Sequence, residues 1–342
     1  MKSLVFCLLI ATIPRVGWAA LPDEPETNAA WIRLTYQEQH MGVWVKFTLY
    51  AQDRATANKA ARQAFDRIAE LDGLLSDYNP ESELRQLCDR AEAGKPVAIG
   101  KDLFLVLAHA EELSKKTGGA FDVTVGPVVR LWRRARRQKE MPDPERLKEA
   151  LAAVGYRKVR LGDKKQTATL AQKGMRLDLG GIAKGYAGDE ALKILREHGI
   201  SRAMIDAGGD LVLGDPPPGK AGWRIGIAPL EKVDGSPSRI LEIANASVAT
   251  SGDVFQFVEI AGKRYSHIVN PKTGLGLTER SSVTVIAPTG IQADSLASAV
   301  SVLGPEAGLK LIESTEKTAA LIVMGEPKKT YESKRFGQFN SK

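Results

Sequence analysis

The chain has 342 residues and a formal net charge of +7, from 48 lysines and arginines against 41 aspartates and glutamates. This length allows one large domain or two, held by a hydrophobic core. So mild an excess of positive charge argues against nucleic acid as a partner, and two cysteines are too few for a disulfide-rich fold.

The first 20 residues are typical of a secretory signal peptide. Lys2 precedes an apolar run from Leu4 to Ile13, and small residues suited to cleavage follow. Cys7 lacks the small-residue context of a lipoprotein site, so we expect an exported, periplasmic or extracytoplasmic protein without a lipid anchor. Cleavage would leave a net charge of +5 and only Cys88, which excludes an internal disulfide. No later stretch approaches membrane-span length, so the mature chain should be soluble.

Hydrophobic periodicity predicts mixed helix and strand through the first half of the chain. Residues 44–50 alternate like a strand, and apolar residues recur at helical spacing over 54–75. A second amphipathic helix is predicted over 102–116. A third begins at Asp143, an N-cap followed by proline, and ends before Gly155.

Positive charge is concentrated between residues 130 and 139, where five arginines and a lysine surround Trp132. A run of this kind is usually a solvated helix or loop. The functional alternative is contact with an anionic membrane surface or an acidic partner.

The second half of the chain is rich in short strands. The segment 247–253 is predicted to be a turn between two of them, and the polar segment 327–342 a partly ordered tail. Because strands follow one another without intervening helices, the pattern favours a largely antiparallel α+β fold over a doubly wound sheet. The predicted strands are 157–161, 167–171, 175–179, 203–206, 211–213, 223–228, 239–244, 255–260, 282–287 and 319–324, and the predicted helices are 183–198, 292–303 and 306–314.

A glycine turn at a helix entrance is the first candidate site. Asp178 ends a predicted strand, Gly180 and Gly181 follow, and Lys184 lies where the next helix opens. Helix N-termini expose N–H groups and partial positive charge, so this arrangement suits a phosphate. It matches neither common nucleotide-binding signature, and a purely structural turn is an equal alternative.

Two further segments have polar residues suited to binding or proton transfer. The loop 117–127 could clamp a flat ring while Asp122 hydrogen-bonds its polar edges, although a helix C-cap followed by a strand is the simpler interpretation. In 264–274, His267 follows a strand among Tyr265, Ser266 and Asn270, a setting fit for proton transfer. A lone histidine on a strand is more often structural.

The fourth segment begins a predicted helix with Asp294 and Ser298, which are four residues apart and share one helical face. Hard oxygen ligands of this type suit Mg²⁺, which completes its shell with water and substrate phosphate. Alternatively, Asp294 only complements the helix dipole.

Together these segments resemble the ApbE family of FAD:protein FMN transferases, from about Gln39 to Gly325. Each motif is weak alone, but their order and spacing are highly specific. The matching motifs are Met41-Gly42, Leu71 to Leu84, Thr117 to Asp122, Gly126-Pro127, Leu131-Trp132, Asp178 to Tyr186, Ala207 to Leu211, Trp223 to Ile227, Ala249 to Asp253, Tyr265 to Ile268, Ala293-Asp294 and Leu296-Ala297.

The resemblance implies a Mg²⁺-dependent enzyme of T-fold-like architecture over residues 28–326. It would transfer the FMN half of FAD to a threonine hydroxyl of an acceptor protein and release AMP. By family analogy the acceptor is a membrane-bound electron-transfer subunit. FAD-binding positions map to Met41, Tyr78, Ala120, Phe121, Asp122, Asp178, Lys184 and Ile268, and metal positions to the Gly181 carbonyl, Asp294 and Ser298, with a backbone contact from Ala297.

For catalysis we expect His267 to accept the threonine proton, with Asp253 as the second candidate, while Lys184 neutralises the pyrophosphate. Two alternatives remain: hydrolysis of FAD to FMN and AMP at the same centre, and flavin binding without catalysis. The chain departs from the family pattern at several positions. Serine replaces the usual metal-binding threonine but keeps its hydroxyl. The departures are Val43, Cys88, Val254 and Ser298.

Overall fold

The computed structural model describes residues 30–230, 236–252, 256–325 and 327–341. The predicted signal peptide and Asp253 lie outside these ranges. In the described chain the strands are β1 (Ile32–His40), β2 (Val43–Ala51), β3 (Pro96–Ala98), β4 (Val159–Gly162), β5 (Thr167–Leu170), β6 (Ala203–Ala207), β7 (Asp210–Leu213), β8 (Trp223–Ile227), β9 (Arg239–Ile243), β10 (Ala246–Gly252), β11 (Phe257–Ile260), β12 (Lys263–Ser266), β13 (Ser281–Ala287), β14 (Ala319–Met324) and β15 (Lys329–Glu332). The α-helices are α1 (Arg54–Leu75), α2 (Glu83–Arg90), α3 (Lys101–Lys116), α4 (Gly126–Gln138), α5 (Pro144–Ala152), α6 (Ala183–Glu197) and α7 (Gly290–Ser314).

An eight-stranded sheet forms the centre of the fold, in the order β1-β2-β6-β7-β10-β13-β14-β15. Every neighbouring pair in it is antiparallel. The predicted α+β class with a largely antiparallel sheet is therefore confirmed. Among the described helices, none is long and apolar enough to cross a membrane.

One face of the sheet is covered by helices that share a large hydrophobic core. The apolar stripe predicted for residues 54–75 forms the buried side of α1, where the Phe65 ring stacks on Phe47 of β2 with 4.0 Å between ring centroids. Burying such side chains supplies most of the stabilisation of an amphipathic helix. The helical layer therefore holds α1, α6 and α7 against the sheet.

Helices α6 and α7 cross at a contact between two glycines. A Cβ at Gly185 would lie 2.1 Å from the carbonyl oxygen of Gly290, so only glycine fits there. The Asp189 carboxylate of α6 accepts hydrogen bonds from the backbone N–H groups of Gly290 and Ile291, at 2.6 and 2.9 Å. Burial raises the pKa of Asp189 to about 6, although these two hydrogen bonds oppose the shift. One helix thus caps the start of the other.

The other face of the sheet is covered by the β8–β9 hairpin and the C-terminal segment. Phe336 is completely buried in this second core, and β15 pairs with β14 at the sheet edge. This corrects the prediction of a partly ordered tail from residue 327. A polar segment can pair at an edge because the pairing uses backbone groups, and one aromatic side chain then anchors it.

Two other predicted boundaries differ in the structure, and one is confirmed. The expected turn at 247–253 is strand β10 over its described residues, inserted between β7 and β13. Its residues 247–249 are small enough to be buried on both faces of the sheet. The expected strand at 175–179 makes only one bridge, from Arg176 to Val125, because no strand of the described chain runs beside it. The predicted break between helices 292–303 and 306–314 is confirmed, since the backbone of Gly304 within α7 is not helical, with φ 74° and ψ 179°.

Candidate functional site

A cleft of about 830 Å³ gathers the separate segments singled out in the sequence. Thirteen of the fourteen predicted site residues line it, and the fourteenth, Asp253, lies outside the described residues. The thirteen are Met41, Tyr78, Ala120, Phe121, Asp122, Asp178, Gly181, Lys184, His267, Ile268, Asp294, Ala297 and Ser298.

The inner end of the cleft, which we call the cleft floor, consists of Gly181, Lys184, Asp210, Asp294 and Ser298. The Lys184 ammonium group donates a hydrogen bond to the Asp210 carboxylate and lies 3.6 Å from Oδ2 of Asp294. The same Asp294 oxygen accepts a hydrogen bond of 3.1 Å from the backbone N–H of Gly185. One cation therefore bridges two buried carboxylates.

The electrostatics of the cleft floor follow from this burial. Burial alone would lower the pKa of Lys184, but the Asp294 and Asp210 carboxylates outweigh it and hold that pKa above its usual value. Burial raises the pKa of Asp294 to about 7, with Asp210 adding to the shift and Lys184 opposing it. Lys184 is therefore charged at neutral pH. A nearby cation stabilises the ionised form of the neighbouring Asp294 carboxyl group.

The fold fixes these groups through rigid elements. Lys184 lies in the first turn of α6, Asp294 in the second turn of α7, and Asp210 begins β7. The crossing of α6 and α7 at their glycines brings the two helix starts together. The position of the charges is therefore set by backbone packing.

Gly181 and Ser298 are in close contact on the cleft floor. A Cβ at Gly181 would lie 2.6 Å from Oγ of Ser298, so a side chain at residue 181 would displace the hydroxyl. Oγ of Ser298 also lies 3.4 Å from Oγ of Ser251 on β10. Among the described residues no group of three or more His, Cys, Asp or Glu side chains could hold a metal ion. The donor set at this point is instead one carboxylate with hydroxyl and carbonyl oxygens.

The outer end of the cleft, the cleft mouth, consists of Tyr78, Arg133, Arg136, Gln256 and His267. The Arg133 guanidinium lies 4.0 Å from the centre of the Tyr78 ring, which is 72% exposed. This contact holds the ring in place from one side. Tyr78 therefore offers a flat aromatic surface in the cleft.

Arg133 also ties two loops together through their carboxylates. It forms ion pairs with Asp77 and, at 2.9 Å, with Oδ2 of Asp178. Burial, and then the Asp77 charge, raise the pKa of Asp178, whereas Arg133 opposes the shift. The other Asp178 oxygen accepts a hydrogen bond of 2.9 Å from the backbone N–H of Gly180. Asp178 thus connects the cleft mouth to the glycine turn.

His267 is half-buried at the cleft mouth. Its backbone N–H and its Nδ1 lie 2.9 and 3.1 Å from the carbonyl oxygen of Gln256. A proton on Nδ1 satisfies that carbonyl and makes Nε2 the basic nitrogen. Tyr265, by contrast, packs its ring on Trp132 with 5.1 Å between centroids, away from proton transfer.

The carboxylate of Asp122 makes contacts within the protein that the sequence did not predict. It accepts three hydrogen bonds: 2.9 and 2.6 Å from the backbone and hydroxyl of Thr124, and 2.7 Å from the backbone of Tyr156. Burial raises its pKa. The carboxylate therefore connects its own loop to the segment at Tyr156, and its contact with the polar edges of a ligand ring stays a prediction. That loop presents Ala120 and Phe121 to the cleft.

Asp210 and Arg133 were absent from the predicted site. Asp210 follows two glycines between short strands, and that motif was a usable signal. Arg133 could not be separated from its neighbours in the charge run without knowing which helix face is buried. The structure identifies the buried face of this helix through Trp132, which is only 2% exposed.

The chain is similar over most of its length to known proteins of one family. A profile of the ApbE family matches residues 41–322. The FAD:protein FMN transferase of Treponema pallidum is 34% identical over 284 residues, covering 79% of this chain and 78% of that relative. That of Haemophilus influenzae is 34% identical over 276 residues, with 79% and 80% coverage. The solved structure of the flavin transferase ApbE from Vibrio cholerae superposes with a TM-score of 0.82 at 28% identity, covering 90% of this chain and 99% of that chain.

Proposed function

Since this chain belongs to the ApbE family and is a transferase, we propose that it moves the FMN half of FAD to a threonine hydroxyl of an acceptor protein and releases AMP. The observation that carries the proposal is the cleft floor. A charged lysine is held between two buried carboxylates, directly beside a glycine turn and a serine hydroxyl. With a divalent cation held at Asp294, such a site suits a diphosphate.

FAD would lie along the cleft with its diphosphate at Lys184. The exposed Tyr78 ring supplies a flat surface for a ring system at the mouth, and the Phe121 ring, which lies beside Gly181, supplies apolar surface next to the floor. Arg133 keeps Tyr78 in position. The cleft of about 830 Å³ is of the size expected for a cofactor-sized ligand.

Magnesium fits the hard oxygen donors of the cleft floor. The Asp294 carboxylate, the Ser298 hydroxyl and the Gly181 carbonyl would hold it, with Ala297 offering a backbone contact. Its charge would help neutralise the diphosphate, whose oxygens complete the coordination shell. A site with one carboxylate depends on those substrate oxygens.

Transfer exchanges one phosphorus–oxygen bond for another. The threonine oxygen attacks the FMN-side phosphorus, the bond from that phosphorus to the bridging oxygen breaks, and AMP leaves with that oxygen. Nε2 of His267 takes the threonine proton. Lys184 balances the negative charge that develops on the leaving phosphate. Asp253, the second candidate for the base, lies outside the described residues.

We also propose that the reaction takes place outside the cytoplasm, on a membrane-bound electron-transfer subunit. The support is the apolar segment with a preceding lysine at residues 1–20 and the family analogy.

By family analogy the acceptor threonine lies in a short motif like Ser/Thr-Gly-Ala-Thr. The test is to incubate the purified protein with FAD, Mg²⁺ and a peptide containing Ser-Gly-Ala-Thr, with and without a metal chelator. We expect FMN attached to the threonine by mass spectrometry, AMP in equal amount, and neither product with the chelator. Unmodified peptide with free FMN and AMP would identify the hydrolase instead. FAD retained without AMP release would identify a flavin-binding protein, and transfer that persists with the chelator would contradict the metal role.

A further inference from the structure

We propose that the arginine-rich face of α4 docks an acidic segment of the acceptor protein beside the reacting threonine. The proposal rests on the proposed transferase function and names the chemistry by which that site would recognise its partner. The occupant is a stretch of acceptor chain bearing aspartate or glutamate close to the threonine.

Helix α4 has three faces, and two of them carry arginine. Val128, Trp132 and Ala135 form the buried face. The cleft face consists of Val129, Arg133 and Arg136, which all line the cleft. The third face, which we call the basic stripe, consists of Arg130, Arg134 and Arg137, and all three are exposed. At 100° per residue the basic stripe adjoins the cleft face, so positive charge continues from the cleft to the surface.

The arginines differ in their partners. Arg133 is paired with two carboxylates. Among the described residues, no carboxylate forms an ion pair with Arg136 or with any residue of the basic stripe. Arg134 and Arg136 instead donate to the neutral side chains of Gln138 and Gln256, at 2.8 and 3.3 Å. These four guanidiniums thus keep charge that an acidic partner could neutralise.

Arg136 connects this charge to the proposed base. Its guanidinium bonds the side chain of Gln256, and the backbone carbonyl of Gln256 bonds the ring and backbone of His267. A threonine delivered to Nε2 of His267 therefore brings its flanking residues next to Arg136. Burial lowers the pKa of Arg136, and Arg133 and Arg137 add to that shift. A carboxylate there would relieve the repulsion between these cations.

A protein segment explains the layout better than a membrane surface does. The charge leads into a concave cleft, where a chain can enter but the plane of a bilayer cannot. The basic stripe lies outside the cleft lining, so FAD bound in the cleft does not neutralise it. The acceptor protein is the other substrate, and it is large enough to contact the surface beyond the cleft.

The experiment compares two fluorescent peptides that share Ser-Gly-Ala-Thr and differ only in flanking Asp/Glu or Asn/Gln residues. Binding is measured by anisotropy and transfer by mass, at low and high salt. The test variant is Arg130→Glu/Arg134→Glu/Arg137→Glu. A second variant replaces the same three arginines by glutamine and is used if charge reversal impairs folding. The matched control is Lys59→Glu/Lys310→Glu/Lys329→Glu, which makes the same charge change at exposed lysines outside the cleft.

We expect the wild type to bind the acidic peptide about tenfold more tightly than the neutral one, and high salt to remove the difference. The test variants should lose that preference, whereas the control keeps it and FAD affinity stays unchanged throughout. Equal binding of both peptides by the wild type would overturn the proposal. So would loss of binding to phosphatidylglycerol vesicles in the variants with peptide preference intact, which would assign the stripe to a membrane. Because binding needs no turnover, failure of transfer alone would contradict only the proposed function.

Discussion

The cleft floor and the cleft mouth differ in the burial of their side chains and in the pairing of their charges. On the floor, charges are buried, each lies against an opposite charge, and the charged residues lie near the ends of elements that the core packing fixes. At the mouth, long side chains reach from α4 and from loops, Tyr78 is mostly exposed, and Arg136 bonds only a neutral amide among the described residues. A buried, preorganised floor suits the reaction step, and an exposed, cationic mouth suits selection of ligands.

This difference between floor and mouth predicts which property of the enzyme each substitution changes. Variants of the cleft floor should have a lower kcat or a less stable fold, and the loss should be the same for every acceptor protein. Variants of the mouth residues Tyr78, Arg133 and Arg136 should change the KM for a substrate and keep most of kcat. His267, the proposed base, is the one mouth residue whose substitution should lower kcat. A loss of kcat as large as that of the floor variants at one of the other three would break the distinction.

The largest effect is expected for Asp294→Asn. The amide keeps an oxygen for the Gly185 N–H but removes the charge that faces Lys184, so kcat for FMN transfer should fall about 10²- to 10³-fold. Circular dichroism and thermal melting should show an intact fold. Steady-state transfer assays measure the loss, and wild-type activity in the variant would contradict the floor's catalytic role.

Next is Gly185→Ala at the helix crossing. The new Cβ meets the backbone of Gly290, which cannot give way, so we expect a loss of about 1–3 kcal/mol in the free energy of unfolding. Gly73→Ala, in the exposed part of α1 with no atom near its Cβ, is the matched control and should stabilise by about 0.5–1 kcal/mol. Urea denaturation of both measures the difference, and equal values would contradict the tight crossing.

A pH series tests the Asp189 cap of α7. Because the pKa of Asp189 is raised from 3.8 to about 6 in the folded protein, the protonated form favours folding, and this contribution is present below about pH 4 and lost as pH rises through 6. Relative to Asp189→Asn, the wild type should therefore lose about 2 kcal/mol of stability between about pH 4 and pH 7. Denaturant titrations at each pH measure it. A difference that is constant or rises would refute the shift.

The smallest effect is expected at the mouth, for Arg133→Gln. Without the guanidinium, the Tyr78 ring loses its support and Asp77 and Asp178 lose their shared ion pair. The KM for FAD should therefore rise about tenfold with kcat nearly unchanged. Arg130→Gln, one helical turn away and outside the cleft, should leave the KM for FAD unaltered. Initial-rate kinetics with varied FAD separate the two parameters, and a matching change in both variants would count against a specific role for Arg133.

The parts of the fold that the sequence predicts are those with a strong local pattern. Helix α1 has the predicted bounds because its apolar stripe is continuous and it lies between clear boundaries. The sequence predicts a turn in place of strand β10 because small and polar residues fill that segment, and its burial comes from neighbours distant in sequence. The expected strand at 175–179 shows the reverse, since its side chains alternate but it lacks a partner strand.

For the site, motif order was sufficient to collect the residues but not to assign their contacts. The predicted residues that the structure describes do line one cleft. Yet the sequence could not show that Asp122 connects its own loop to a distant segment, because one donor lies at Thr124 and another, much later in the chain, at Tyr156. Nor could it show that Asp210 shares Lys184 with Asp294, which depends on how β7 meets the two helices.

The glycine crossing of α6 and α7 also determines how the site moves. The Gly185 N–H that bonds Asp294 lies at that crossing, within a helix packed into the core. Local fluctuations that open loops cannot separate the two helices there, so this amide should exchange with solvent only when the whole domain unfolds. The hydrogen-exchange rate of this amide therefore reports whether the cleft floor is assembled.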